Sequence, residues 1–163
     1  MIQQGKVIAV CTSQKKGTRK QNVGRAELRP NWGIVGDAHA ADWHRQVSLL
    51  AWESIQKMRN LGLNVNVGSF AENITTQGLE LTSLPIGTRL RLGDALVEVT
   101  QIGKVCHDRC AIYYQAGDCV MPREGIFVQV HTGGAVQVGD TVRVISWPDL
   151  ASQEEETVHN LNP

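Results

Sequence analysis

Three of the four cysteines, Cys106, Cys110 and Cys119, fall within residues 103–127, interleaved with Lys104, His107, Arg109 and Arg123. A thiol acts as a nucleophile or a soft-metal ligand only as the thiolate, and neighbouring cations favour that charged form. Four chemistries compete for this stretch. A structural zinc site would use Cys106, His107, Cys110 and Cys119, but the spacing is C-x3-C rather than paired C-x2-C, and adjacent Cys106 and His107 point apart on a strand. A dithiol switch would want C-x-x-C beside a βαβ unit, and neither is legible. Inert buried thiols fit poorly beside Lys104, Asp108 and Arg109, although Cys119 could be structural. The fourth reading is a single reactive or metal-binding thiolate in a pocket, with His107 and Arg109 supplying positive charge.

Two further segments are rich in polar groups. Residues 33–45 gather Asp37, His39, Asp42, His44 and Arg45 between glycines, and Asp37, His39 and His44 by type alone form a weak metal set. The loop at residues 12–22 carries Lys15, Lys16, Arg19 and Lys20 around Gly17, which is either a solvated basic tip or a lip that attracts phosphate. In residues 68–76, Glu72 and Asn73 read as turn residues, or Asn73 offers its amide to a ligand.

The elements that must position these groups are mostly short strands. Residues 6–11 are β-branched and bounded by Gly5, with Cys11 expected inside as a small hydrophobe. Strands are also expected over residues 23–28, 46–50, 84–102, 126–130 and 141–145, with a turn at residues 30–33 and hairpin turns at Gly93-Asp94 and Gly139-Asp140. Residues 52–60 are the best helix, with Ile55, Met58 and Leu61 or Leu63 at helical spacing and Gly62 placed to stop it. Even spacing of short strands with little helix predicts a mainly β fold, a mostly antiparallel barrel with one or two short helices.

The chain has 163 residues, enough for one core, and we expect a single domain over residues 1–148 followed by a polar tail at 149–163 containing three consecutive glutamates. Lysine plus arginine equals aspartate plus glutamate at 16 each, so global charge favours neither nucleic acid nor membrane surfaces. No apolar run is long enough to span a bilayer and no signal-peptide pattern opens the chain, which predicts a cytoplasmic protein.

Taken together, Gly33-Ile-Val-Gly-Asp-Ala-His39, Arg45-Gln-Val-Ser-Leu-Leu50, Gly68-Ser-Phe-Ala-Glu-Asn-Ile74, Gly87-Thr-Arg-Leu-Arg-Leu-Gly93, Thr100-Gln-Ile-Gly-Lys104, Arg109-Cys110 and Gly125-Ile-Phe127 resemble, in order and separation, the MOSC domain. The family is named for the C-terminal domain of molybdenum-cofactor sulfurases, and the likeness is to its small stand-alone bacterial members. The resemblance implies a barrel-like domain that binds the molybdenum cofactor (molybdopterin) or handles sulfur destined for it. Cys110 would hold a persulfide or ligate molybdenum, with Cys119 as the second candidate thiol. It also implies that Arg45, Asn73, Lys104, His107 and Arg109 line the cofactor pocket, with a cysteine desulfurase and molybdoenzymes as partners. The rival functions are a cofactor-dependent reductase of small N-hydroxylated substrates and a non-catalytic zinc-stabilised module. We expect this chain to work without the desulfurase domain that precedes this one in eukaryotic sulfurases and without the extra N-terminal barrel of the related reductases.

Overall fold

The computed structural model describes residues 3–103 and 121–148. Lys104, Cys106, His107, Arg109, Cys110 and Cys119 lie outside the described residues, as does the tail from residue 149.

Eleven strands are described: β1 (Gln4–Thr12), β2 (Gln21–Asn22), β3 (Arg25–Arg29), β4 (Gly33–Ile34), β5 (Val47–Ala51), β6 (Ile74–Gln77), β7 (Arg89–Leu92), β8 (Ala95–Ile102), β9 (Ile126–Thr132), β10 (Gly134–Gln137) and β11 (Thr141–Ser146). Helix α1 (Trp52–Asn60) follows β5, and a single turn, α2 (Met121–Glu124), precedes β9. Seven strands run β11-β7-β8-β9-β5-β6-β1, and pairing of β1 with β11 closes them into a barrel. Closure removes the open edges that a flat sheet would expose.

Alternation along the strands decides what the barrel encloses. Leu90 and Leu92 of β7, Ala95, Val97 and Val99 of β8, and Ile126, Val128 and Val130 of β9 are buried and belong to one core cluster. Strand β5 instead reads Val-Ser-Leu-Leu-Ala with four consecutive buried residues, because both its faces are covered. Val47 and Leu49 face the barrel core, while Leu50 joins Ile55, Met58, Val65, Phe70 and Phe127 in a second cluster. Each fully buried aliphatic side chain there contributes about 1.5–3 kcal/mol. Of the helical stripe expected from sequence, Ile55 and Met58 are buried and Leu63 packs half-buried against them, whereas Leu61 is 68 % exposed, just where Gly62 turns to φ +92° and ends the helix. Gly62 N–H closes the last turn on the Arg59 carbonyl at 2.9 Å, a bond that needs the left-handed residue at this position.

The barrel is mostly antiparallel as expected, with one parallel pair, β5 and β6, Leu49 opposite Ile74. A parallel pair needs a long crossover, and residues 52–73, with α1, provide it. One expectation is corrected: Gly139-Asp140 is not a hairpin turn, because β10 pairs with β3 in a separate three-stranded sheet (β10-β3-β4) while β11 pairs with β7 and β1. The turn hands the chain from one sheet to the other. Gly93-Asp94 does join the antiparallel pair β7–β8 as expected. Among the described residues no helix is long and apolar enough to cross a membrane.

Candidate functional site

Three loops meet at one end of the second cluster. They are held by two buried carboxylates. Asp37 Oδ1 accepts from Lys20 Nζ at 2.8 Å and from the Ser13 N–H at 3.1 Å, and its Oδ2 accepts from the His39 N–H at 3.1 Å. Both side chains of the Lys20–Asp37 pair are 0 % exposed. Burial works to raise the Asp37 pKa, but the Lys20 hydrogen bond, the Ser13 and His39 amides and the Lys20 charge outweigh it and hold the carboxyl below the usual range. Lys20, grouped by sequence with the exposed basic tip, is therefore a buried brace, while Lys15, Lys16 and Arg19 stay exposed. Lys20 N–H also donates to the Gly68 carbonyl at 2.8 Å, and a Cβ at Gly68, which has φ +79°, would collide with the Lys20 carbonyl oxygen.

Glu72 is the second carboxylate, fully buried rather than a surface turn residue. Its oxygens accept from the Gly68 N–H (2.9 Å), the Phe70 N–H (3.1 Å) and Thr75 Oγ1 (3.0 Å). Burial raises its pKa despite these donors. The bonds fix a tight loop in which Ala71 takes φ +61°, a left-handed conformation uncommon for a residue with a Cβ. Next to it Asn73 Oδ1 accepts from Ser48 N–H at 3.0 Å and lies 3.3 Å from Ser48 Oγ, while Nδ2 donates to the Cys11 carbonyl at 3.0 Å. Asn73 thus ties β6 to β5 and β1 and keeps one amide N–H for a guest. Cys11 is fully buried as expected, and burial, then the Glu72 charge, push its thiol up to about 12 against the lowering effect of Lys20, so it is an inert packing residue.

Between these loops lies a small cavity of about 30 Å³, lined by His39, Arg45, Ser48, Phe70, Ala71, Asn73 and Phe127. The Arg45 guanidinium carbon sits 4.6 Å from the Trp43 ring centroid and 5.7 Å from that of Phe127. Lys16 places its ammonium 5.1 Å from the same Trp43 ring. Rings hold cations through their quadrupole. Trp43 is itself fixed by a 2.9 Å bond from Nε1 to the His39 carbonyl. Arg45 Nε is buried and has no hydrogen-bond partner among the described residues. A buried donor without an acceptor is costly, and among the described residues no carboxylate lines the cavity to satisfy it. The arrangement suits an incoming anionic oxygen.

The cavity adjoins the root of the cysteine stretch. His44 Nε2 and Gln101 Oε1 are hydrogen-bonded at 2.9 Å, Gln101 Nε2 donates to the Gly103 carbonyl at 2.7 Å, and Gly103 N–H donates to the Gly125 carbonyl at 2.7 Å. Thr100 Oγ1 lies against the carbonyls of His44 and Phe127. On the other side of the stretch, Glu124 of α2 is held to α1 by Ser54 Oγ (2.6 Å) and Lys57 Nζ (2.9 Å).

Of the residues singled out from sequence, Arg45 and Asn73 line one cavity, and the cysteines and their basic neighbours lie outside the described residues. His39 Nδ1 lies 3.9 Å from Asp37 Oδ2, but Asp37 is engaged by Lys20 and His44 by Gln101, and the three do not form a metal set. Among the described residues no group of three or more His, Cys, Asp or Glu could hold a metal. Sequence reading missed Trp43, Phe127 and Ser48. Phe127 carried a usable signal, since it breaks the inward register of Ile126 and Val128 and must face outward from the barrel.

Comparison with known proteins agrees with this architecture. No curated protein matches the chain. Among solved structures, the YuaD protein from Bacillus subtilis superposes with a TM-score of 0.75 at 18% identity, covering 91% of this chain and 99% of that one. YiiM from Escherichia coli gives a TM-score of 0.64 at 20% identity over 90% of this chain and 71% of its own. YiiM from Geobacillus stearothermophilus gives 0.64 at 16% over 90% and 76%. At these identities the likeness is one of fold. The model of the MOSC domain matches residues 35–143, which include Asp37, Glu72, barrel strands β5 to β9 and the start of β11, and the chain belongs to the MOSC domain family.

Proposed function

We propose that this chain binds the molybdenum cofactor, seats an anionic oxygen of it against Arg45, and presents the Cys110 thiolate to it as metal ligand or persulfide carrier. The observation that carries this reading is the buried Arg45 Nε, without a partner or a lining carboxylate among the described residues, in a cavity beside the root of the cysteine stretch. The donor set fits a phosphorylated pterin at its anionic end. A cavity of about 30 Å³ accepts a water-sized or oxygen-sized terminus and not a ring system. Arg45 binds, with Trp43 and Phe127 orienting its guanidinium plane, and Asn73 offers its remaining N–H to the same guest. Lys104, His107 and Arg109 supply the positive charge that keeps the Cys110 sulfur anionic, with Cys119 as a second thiol within reach along the chain. When bound, the cofactor supplies a metal able to exchange electrons and take up sulfur.

Arg45→Gln tests the reading. Loss of a charge-assisted bond worth about 1.5–3 kcal/mol predicts retention weakened by roughly tenfold to a hundredfold. The readout is oxidised-pterin fluorescence per chain after native purification, and retention equal to that of the wild type would reject the assignment. The buried Nε makes some folding effect possible in any variant, so thermal unfolding is measured alongside and Arg45→Lys serves as a second, charge-conserving change.

A further inference from the structure

The outer face of the barrel across β1, β11 and β7 carries a concentration of unpaired positive charge. Gln4 and Lys6 of β1, Arg143 of β11, and Arg89 and Arg91 of β7 alternate with core residues and are exposed. Arg143 stands directly opposite Arg91 in the antiparallel β11–β7 pair, with Gln4 on its other side. Residues so paired bring their Cβ atoms to about 4.5–5.5 Å, and like charges at that spacing repel. Arg89 has a carboxylate nearby, Glu98 at 3.5 Å, but neither Arg91 nor Arg143 forms an ion pair among the described residues. An anion laid across the two would turn a repulsive contact into an attractive one.

One end of this face is apolar. Ile145, at a register shift between Val144 and Ser146, is 47 % exposed, Trp147 47 % and Ile86 57 %. Ile86 is brought to this end because Gly87 passes close to Pro148, where a Cβ on the glycine would lie 3.3 Å from Pro148 Cγ. Residues 149–163 continue the chain from that edge. All sixteen basic residues lie before position 149, with twelve of the sixteen acidic ones, so residues 1–148 carry +4 and the continuation −4. Its charges are Asp149 and the run Glu154-Glu155-Glu156. A chain of zero net charge is thus a basic body with an acidic extension. The reach also matches. Arg143 lies five positions before Pro148, about 17 Å back along the strand, and Glu154 lies six positions after it, a span of up to about 20 Å.

We infer that the acidic run Glu154–Glu156 folds back over the outer face of β11 and β7 of the same chain and sets its carboxylates against Arg143 and Arg91. Leu150 and Ala151 then pass the apolar end at Ile145 and Trp147. The docked segment covers a basic face that would otherwise attract nucleic acid and other polyanions. This contact involves neither the Arg45 cavity nor the cysteine stretch.

The test is cleavage of the full chain by a glutamyl endopeptidase, followed by intact mass, in the wild type and in Arg91→Gln with Arg143→Gln. Both arginines are exposed, so the two changes leave the fold intact. At low salt, cutting after Glu154–Glu156 is expected to be about fivefold slower in the wild type, a factor within what a few exposed ion pairs supply. In about 1 M salt, where the screening length is about 3 Å, the two rates should converge. Glu154→Gln with Glu155→Gln and Glu156→Gln should in turn shift the amide NMR resonances of Arg91 and Arg143, which no local effect of those changes can reach. Equal cleavage rates at low salt, or unmoved β7 and β11 amides, would overturn the inference. Protection that grows with protein concentration would also overturn it, since the segment would then lie on another copy. So would oligo(dT) that binds the wild type as tightly as the triple glutamine variant, because the face would then be uncovered.

Discussion

Replacing Cys110 with alanine is expected to abolish the persulfide that forms when the protein is incubated with a cysteine desulfurase and cysteine, and to leave the fold unchanged. In that transfer the Cys110 thiolate attacks the terminal sulfur of the desulfurase persulfide. A new S–S bond forms on Cys110, the old one breaks, and the electron pair leaves on the desulfurase cysteine as its thiolate. The reaction needs the anionic sulfur, and Arg109 and His107 flank it in sequence. Cys119→Ala should therefore retain the persulfide, and Arg109→Ala should shift the pH dependence of Cys110 alkylation upward. Intact-mass spectrometry checks the first two variants and an alkylation series the third. A Cys110→Ala protein that gains sulfur as readily as the wild type would remove Cys110 from the chemistry. Cys11 does not confuse the readout, because its buried thiol, pushed up to about 12, stays protonated in the folded chain.

Lys20→Met is expected to be strongly destabilising. Both members of the Lys20–Asp37 pair are inaccessible, so removing the ammonium leaves a buried carboxylate without its counter-charge, which costs about 3–5 kcal/mol. For a chain of this size that is of the order of ten degrees in Tm. Loss of the Lys20 Nζ bond to Ser13 Oγ, 2.9 Å in the folded protein, adds to it. Lys20→Met with Asp37→Asn should recover part of the loss, since the charge goes while the one asparagine oxygen still accepts from either the Ser13 or the His39 amide.

The pH dependence has a definite sign. Asp37 has a depressed folded pKa, so its contribution is present above the ordinary aspartate value of about 3.9 and disappears as pH falls through the lower folded value. In Lys20→Met the same carboxyl, buried and unpaired, moves upward, so the variant should regain stability on acidification where the wild type loses it. Glu72, raised by burial, titrates in both proteins, so the difference between their urea-unfolding curves isolates the pair. Parallel curves from pH 3 to 7 would show that the ion pair contributes nothing specific to folding.

Much of the frame was legible because it is local. Ile55, Met58 and Gly62 announced α1, Gly93-Asp94 announced the β7–β8 hairpin, and Cys11 in a β-branched run announced a buried thiol. Partnership was not legible, because periodicity tells which face of a strand is buried and not which strand lies beside it. The parallel β5–β6 pair and the departure of β10 into the small sheet are both of this kind. The same limit applied at the site. Lys20 and Lys15 look alike in one basic loop, and only the approach of Asp37, 17 positions from Lys20, makes one a buried brace and leaves the other exposed. Arg45 and Asn73 were found through the family pattern, and Trp43, which holds both Arg45 and Lys16, had no signal apart from the fold.

The most direct test is molybdenum and pterin content of protein freshly purified from cells that make the cofactor, measured together with zinc on the same sample. Molybdenum and oxidised pterin equimolar with the chain, both falling in Arg45→Gln, is the expected result. Stoichiometric zinc with neither molybdenum nor pterin would contradict it.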